Sequence, residues 1–197
     1  MPTKPTVQIE LLPESAADDS VFVDDLVLLI NEAYATSEEG LWNDGAARTS
    51  RGEVTDLIRS AQIAAASAGG ELVGSVRIQK LDGVTGEFGM LVTSSRARGT
   101  GAGRELVAFA EGWVVEQGLS VMQLEVLFPR DWAHPSKEFL RSWYTRLGYI
   151  SVRSDPFEES FPQLAPRLAT ACDFVIFHKA LTAAPPAVAN TATTTGQ

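Results

Sequence analysis

Apolar and polar residues alternate at the start of the chain and then change to a helical period. Residues 7–11 alternate as a half-buried strand does. Residues 18–20 (Asp-Asp-Ser) offer N-caps for a helix that reaches about Ala35. A Ser-Arg-Gly-Glu sequence at 50–53 has the form of a capping box before an apolar helical pattern at 54–61. The first third of the chain therefore predicts one strand followed by two helices.

The middle of the chain reads as three strands. Residues 62–66 and 72–78 are strand-like and flank an Ala-Gly-Gly-Glu turn at 68–71, which predicts a hairpin. A further strand is predicted over 86–92.

Helices and strands then alternate. A helix runs to about Gln117, a strand covers 121–128, a helix covers 136–147, and strands follow at 149–153 and 174–177. This order predicts a mixed sheet with helices on both faces.

A glycine-rich loop joins the strand at 86–92 to the helix that follows it. Alternate glycines let backbone N–H groups approach an anion, and the start of a helix adds its positive dipole end. Two arginines add fixed charge. The loop therefore predicts a phosphate site, formed by Arg98, Gly99, Thr100, Gly101, Ala102, Gly103 and Arg104.

The spacing excludes two common phosphate motifs. A dinucleotide fold needs G-x-G-x-x-G, and Arg104 stands where the third glycine would be. A P-loop ends in Gly-Lys-Ser or Gly-Lys-Thr, and no such ending occurs here.

Two motifs together resemble the GNAT acetyltransferase superfamily. The first is R-x-x-G-x-G after a strand, at 98–103. The second is the aromatic-Tyr-x-x-Leu-Gly-aromatic sequence at 143–149, which contains Tyr144. Between them, residues 124–126 match the family's fifth strand, and the resemblance covers about residues 54–150.

The resemblance implies an α/β (α+β) fold, the GNAT acyl-CoA N-acyltransferase fold. Its sheet is mixed, mainly antiparallel and of about seven strands, with helices on both faces. We expect a single domain over residues 1–180 and a disordered Ala/Pro/Thr-rich tail over 181–197.

The resemblance also implies an activity and its residues. Acetyl-CoA would be the co-substrate, with its pyrophosphate at the 98–104 loop and its pantetheine arm on the backbone of Leu91 and Val92. Tyr144 would protonate the departing thiolate. Glu87 is the candidate base, acting directly or through water, and Glu125 is its rival. The implied enzyme is an N-acetyltransferase that acts on a primary amine in a ternary complex. A coenzyme A binding or sensing module and a transferase of larger acyl groups are the alternatives.

Protonation states support these roles. An amine with a pKa of about 10.4 costs roughly 4.6 kcal/mol to deprotonate at pH 7, so a base is needed. A thiolate with a pKa of about 8.5 leaves, and a tyrosine with a pKa of about 10 can protonate it. No covalent intermediate is required.

The resemblance implies that two segments bind the acceptor, residues 34–48 and 155–170. Their carboxylates beside aromatic rings suit an ammonium group; the candidates are Glu38, Glu39, Trp42, Asp44, Glu158 and Glu159. A polyamine, an amino-acid derivative, an antibiotic and a protein amine all remain open. The role of Arg130, Trp132 and His134 also remains open. They lie in a loop that is longer than the family's usual one, and we expect Ser136 to cap the helix that follows it.

Composition and net charge limit the binding partners and the cellular location that we expect. A net charge of −9 argues against nucleic-acid binding, and no apolar segment predicts a membrane span. Cys172 is the lone cysteine, so no internal disulfide forms, and a cytoplasmic location is expected. Two histidines make no metal site without a third ligand, and nothing in the sequence places a histidine beside Cys172 for thiol catalysis. A homodimer stays open.

Overall fold

Seven strands form one mixed sheet in the computed structural model, which describes residues 6–43, 47–97 and 99–182. The order across the sheet is β1-β2-β3-β4-β5-β7-β6. The neighbouring strands are antiparallel except for β4 and β5, which are parallel. This confirms the mixed, mainly antiparallel sheet. The strands are Val7–Leu11 (β1), Ile63–Ala68 (β2), Glu71–Lys80 (β3), Thr85–Thr93 (β4), Val121–Pro129 (β5), Ile150–Pro156 (β6) and Cys172–Ala180 (β7).

Helices cover both faces of this sheet, as predicted. They are Ser20–Ser37 (α1), Arg51–Arg59 (α2), Ala102–Glu116 (α3), Pro135–Arg146 (α4) and the short Phe157–Ser160 (α5). On one face, the apolar stripe of α3 packs with Tyr144 of α4 against side chains such as Ile78 and Met122. On the other face, α1 and α2 pack against Ile63 and Met90. The two faces of β4 are therefore covered by different helices.

The predicted starts of α1 and α2 are confirmed. Asp19 caps α1, where its carboxylate accepts from the N–H groups of Val21 and Phe22, each at 3.1 Å. Ser50 caps α2 by accepting from the Glu53 N–H at 3.2 Å. The Glu53 carboxylate accepts from the Thr49 hydroxyl at 2.8 Å, so its described bond ties the preceding loop to the helix.

The predicted N-cap of α4 is wrong by two residues, and the predicted start of the helix at residue 136 is wrong by one. His134, not Ser136, is the N-cap, and its Nδ1 accepts from the Ser136 N–H at 3.2 Å. Pro135 takes the first helical position because it has no N–H to satisfy there and its φ already suits a helix.

A β-bulge in β4 changes the faces to which its side chains point. Met90 has φ +47°, which is unusual for a residue with a Cβ, and the pairing of β3 with β4 shifts register between Ser75 and Arg77. Phe88 therefore packs on the α3 side, whereas Met90 and Val92 pack on the α1 side. The bulge lies where β4 passes the candidate site.

The last described residues still belong to the fold. The Leu181 N–H donates to the Ser120 carbonyl at 2.8 Å, and Leu181 packs against the α3 side of the core. The predicted disordered tail lies, from residue 183 onward, outside the described residues. None of the described helices has the length and apolar character needed to cross a bilayer.

Candidate active site

β4 and β5 separate after a short paired stretch. They pair where Thr85–Glu87 meets Val121–Gln123, and both strands continue well past that point. The other edge of β4 stays paired with β3, so the backbone of Leu91 and Val92 presents an edge toward the opening. Two facing, unpaired strand edges can bind an extended ligand through main-chain hydrogen bonds.

The glycine-rich loop ends at this opening. Gly99 and Gly101 have φ of +73° and +93°, which residues with a Cβ rarely adopt, and open space lies where each Cβ would be. Gly101 is also the N-cap of α3 and supplies no side-chain cap. The first-turn amides of α3 therefore face a loop that an anion can approach closely.

Side chains hold the same loop in shape. The Thr100 hydroxyl donates to the Ala97 carbonyl at 2.6 Å and accepts from the Ala102 N–H at 3.2 Å. Arg104 lies in the first turn of α3, where its charge adds to the helix dipole. Arg98 lies outside the described residues. The loop fits a pyrophosphate by its open backbone, its helix start and its cationic side chain.

We predict that Gly101→Ala raises the Kd for acetyl-CoA by about tenfold or more, roughly 1.4 kcal/mol. The new methyl group would enter the open space above the loop and strain the backbone at φ +93°. Titration calorimetry checks this, with Gly83→Ala as the control because Gly83 also faces open space but lies far along the chain from the loop. Equal Kd values in the two variants would contradict the phosphate site.

Tyr144 lies on α4 among other aromatic side chains. Its ring centroid is 5.9 Å from those of Phe88 and Tyr149 and 5.0 Å from that of Trp143. The side chain is 5% exposed and lines the cavity beside the β4–β5 opening. Burial, and then the nearby Tyr34, raise its pKa above the usual value of 10.0. The hydroxyl therefore keeps its proton at neutral pH, as an acid catalyst must.

Tyr34 lies close to Tyr144 in this cavity, and Arg48 lies against Tyr34. The Arg48 guanidinium lies over the Tyr34 ring, 5.0 Å from its centroid. Desolvation raises the pKa of Tyr34, and the charge of Arg48 opposes that rise most strongly. The sequence predicted only that this segment faces the acceptor. The pairing of Tyr34 with Tyr144 depends on how α1 packs, which no local pattern indicates.

Glu87 is firmly held on β4. Its carboxylate accepts from Gln79 Nε2 at 2.9 Å and from Gln123 Nε2 at 3.3 Å, and it lies 3.9 Å from the Arg77 guanidinium. These three partners come from the strands on either side of β4. Sequence analysis missed them because strand register, rather than spacing, brings them to Glu87.

Glu125 lies one strand away, two residues beyond Gln123. It accepts from Gln123 Nε2 at 3.4 Å. Desolvation, and then the negative charge of Glu87, raise the pKa of Glu125 above its usual 4.5. Both carboxylates line the same cavity as Tyr144. Their shared amide donor makes them a coupled pair, here called the Glu87–Glu125 pair.

Some of the predicted acceptor carboxylates already have partners. Glu38 is buried in an ion pair with Lys137 at 2.6 Å and also accepts from Trp42 Nε1 at 2.6 Å. Glu158 binds Arg130 at 2.8 Å. Glu38 and Glu158 are therefore occupied by structural contacts, and Asp44 lies outside the described residues.

The long loop before α4 has structural contacts. Arg130 also binds Asp173 at 2.5 Å. Trp132 lies against His134, with 5.2 Å between ring centroids, and His134 Nε2 lies 3.1 Å from the Glu39 carbonyl. These three side chains do not line the cavity within the described part of the chain.

The surroundings of Cys172 are those of a buried structural residue. The thiol is buried, and desolvation raises its pKa to about 11. His178 lies against Gln123, 2.8 Å from Nε2 to Oε1. Over the described residues, no group of three or more His, Cys, Asp or Glu side chains could hold a metal ion.

The cavity itself has a volume of about 2460 Å³. This is more than the roughly 300–1,000 Å³ of an ordinary ligand pocket. Trp42 and Phe157 close part of it, with 5.6 Å between their ring centroids. The space is sufficient for two substrates side by side.

Comparison with known proteins agrees with this architecture. The chain matches the family model described as the acetyltransferase (GNAT) family over residues 28–149. No curated protein gave a match.

Solved structures share the fold. An aminoglycoside 6'-N-acetyltransferase complexed with coenzyme A is 17% identical, with a TM-score of 0.64 over 90% of this chain and 99% of that one. The PaiA N-acetyltransferase from Thermoplasma acidophilum, also complexed with coenzyme A, is 15% identical, with a TM-score of 0.65 over 89% and 99%. The ribosomal-protein-alanine N-acetyltransferase from Brucella melitensis is 16% identical, with a TM-score of 0.62 over 88% and 99%. The family match spans more than half of the sequence, and the chain belongs to the GNAT acetyltransferase family.

Proposed function

We propose that the protein transfers an acetyl group from acetyl-CoA to a primary amine by direct attack in a ternary complex. One observation carries this proposal: a protonated phenol, Tyr144, and the Glu87–Glu125 pair line the same cavity. An acid and a base on opposite sides of one reaction centre are what aminolysis of a thioester requires. The coenzyme A complexes of two structural neighbours support the choice of donor.

The bound co-substrate would supply the activated acetyl thioester. The Arg98–Arg104 loop would hold its pyrophosphate, and the backbone of Leu91 and Val92 would bind the pantetheine arm along the edge of β4. The thioester carbonyl would then lie in the opening between β4 and β5. These residues bind and orient without taking part in bond making.

The proton transfers use groups on both sides of the opening. The Glu87–Glu125 pair takes the proton from the substrate ammonium, and the neutral amine attacks the carbonyl carbon. The C–N bond forms and the C–S bond breaks as Tyr144 gives its hydroxyl proton to the sulfur. The nitrogen loses its second proton to solvent, which also takes the proton from the Glu87–Glu125 pair and reprotonates Tyr144. The products are the amide and free coenzyme A, with one proton released in each turnover.

Free-thiol release from acetyl-CoA tests this function. A panel of amines, amino acids, aminoglycosides and basic peptides would be assayed, with a control lacking acceptor. Release that depends on an acceptor establishes the transferase. If no acceptor gives thiol release while acetyl-CoA still raises the Tm, a coenzyme A binding module would be favoured. Faster release from a longer acyl-CoA would favour the larger acyl group. The cytoplasmic location stays a prediction.

The pH dependence of kcat would assign the base within the Glu87–Glu125 pair. A carboxylate acts as a base only when deprotonated, and the pKa of Glu125 is raised, so kcat should fall as the pH drops through a midpoint above the usual 4.5. If Glu125 is the base, Glu125→Gln removes this acidic limb and lowers kcat about 100-fold. Glu87→Gln would then only move the limb to lower pH, because it removes a negative charge that raises the pKa of Glu125. Loss of the limb in Glu87→Gln alone would identify Glu87 as the base.

A further inference from the structure

The cationic side chains of this acidic protein are mostly neutralised by carboxylates. Lys and Arg number 16 against 25 Asp and Glu, so carboxylate partners are plentiful. Within the described ranges, the basic side chains with no carboxylate within 4.0 Å are Arg48, Lys80, Arg104, Arg146 and Arg167. Arg104 lies at the phosphate loop, where an anion is expected.

Two of the remaining four line the cavity, namely Arg48 and Arg167. Arg48 lies between α1 and α2, and Arg167 lies in the segment between β6 and β7. These two segments meet directly, because the Asn43 N–H donates to the Arg167 carbonyl at 2.8 Å and Trp42 forms a β-bridge with Leu168. Both arginines therefore belong to the two segments that are the candidates for binding the acceptor, and these segments contact each other.

Arg48 is held in place by an aromatic ring, and no carboxylate of a described residue lies within 4.0 Å of its guanidinium. Its guanidinium lies 5.0 Å from the centroid of the Tyr34 ring and interacts with the Tyr34 hydroxyl. An aromatic ring fixes the position of a cation but leaves its in-plane N–H groups available. Tyr34 is in turn close enough to Tyr144 to raise its pKa. The positive charge of Arg48 is thus fixed beside Tyr34, which is itself a neighbour of Tyr144.

Two described carboxylates that line the same cavity as Arg48 already have other partners. Glu38 is paired with Lys137. Glu87 is held by Gln79, Gln123 and Arg77. The acceptor side therefore has an anionic wall at the Glu87–Glu125 pair and a fixed cation at Arg48. This arrangement is complementary to a ligand with charges of both signs.

We propose that the acceptor is a zwitterionic amine, an amino acid or a close analogue, whose carboxylate binds Arg48. The proposal rests on the proposed acetyl transfer and names its substrate class. A guanidinium binds a carboxylate through two parallel N–H···O bonds, which orients the ligand as well as attracting it. Arg48 is then a specificity residue: it binds the carboxylate while the amine faces the Glu87–Glu125 pair. Arg167, which also lines the cavity, adds a second positive charge.

Matched pairs of acceptors test this proposal. Each standard L-amino acid would be compared with its C-terminal amide, which keeps the amine and loses the negative charge. The wild-type protein should favour the acids of its best pairs. In Arg48→Gln, KM for those acids should rise about 10- to 100-fold, because a hydrogen bond to a charged group is lost. KM for the amides and KM for acetyl-CoA should stay within about twofold. Arg48→Lys should restore part of the affinity.

Arg51→Gln is the matched control. Arg51 lies three residues away, is exposed, and already pairs with Asp24. Its loss should change none of these constants. A wild-type preference for the amides or for polyamines would overturn the proposal. So would an equal rise in KM for acids and amides in Arg48→Gln.

Binding separates this inference from the proposed reaction. Titration calorimetry of each amino acid into protein saturated with coenzyme A needs no turnover. Binding that weakens in Arg48→Gln, without any thiol release, would support the zwitterion site and count against the transferase. Faster transfer to amines without a carboxylate than to any amino acid would support the transferase and overturn the zwitterion site. Absence of amino-acid binding to the loaded protein would overturn the site as well.

Discussion

Replacing Tyr144 by phenylalanine should lower kcat about 100-fold or more, the usual scale for loss of a general acid. The substitution removes only the hydroxyl, which lines the cavity and has no hydrogen bond to a described residue. Its ring would still pack against Phe88, Trp143 and Tyr149. Fold and acetyl-CoA affinity should therefore survive. Steady-state thiol release gives kcat, and the Tm with and without acetyl-CoA reports on fold and binding.

Tyr149→Phe is the control for this experiment. Tyr149 belongs to the same aromatic group, but its hydroxyl donates to Glu111 at 2.8 Å. Its loss should reduce stability and leave kcat nearly unchanged. Unchanged kcat in Tyr144→Phe would remove Tyr144 from the mechanism. A larger loss in Tyr34→Phe would transfer the role of acid to Tyr34, which lies nearby.

Replacing Lys137 by methionine should lower the free energy of unfolding by about 3–5 kcal/mol. Lys137 and Glu38 are 4% and 9% exposed, so the variant would leave Glu38 as a buried carboxylate without its cation. Urea denaturation measures the loss. The double variant Lys137→Met with Glu38→Gln should recover much of it, since no unpaired charge is then buried.

Arg59→Met shows what an exposed pair contributes. Arg59 and Asp18 are 3.4 Å apart, and both are more than half exposed. Its loss should cost at most about 1 kcal/mol. Similar losses in Lys137→Met and Arg59→Met would show that the Glu38–Lys137 pair is not effectively buried. The pair also bears on the site, because Glu38 accepts from Trp42 and Lys137 lies two helical turns before Tyr144.

Local signals in the sequence were sufficient for most of the fold. Asp19 and Ser50 cap helices because short polar side chains satisfy nearby amides, which is a property of a few consecutive residues. Gly69 and Gly70 form the predicted turn with positive φ values of 62° and 84°. His134 escaped prediction because histidine is an uncommon N-cap, and the serine two residues later is a common one.

The partners within the site could not be predicted in the same way. Glu38 and Lys137 are 99 residues apart in sequence, and only the tertiary structure brings the end of α1 to the start of α4. Glu87 and Glu125 lie on adjacent parallel strands, whose register depends on the α3 crossover rather than on spacing. Motifs therefore located the loop and Tyr144, whereas the cation at Arg48 and the contacts of each carboxylate required the tertiary structure.

The opening between β4 and β5 divides the sheet into two halves, which pair with each other along a short stretch of these two strands. β1–β4, with α1 and its loop, supply Tyr34, Arg48 and Glu87; β5–β7, with α4, supply Glu125 and Tyr144. The groups proposed for acid, base and recognition are thus divided between the two halves of the sheet. Local opening between β4 and β5 would move these groups apart without unfolding either half of the sheet. A ligand that binds both strand edges would therefore hold the two halves together. The contacts that bind it would also set the distance between acid and base on which turnover depends.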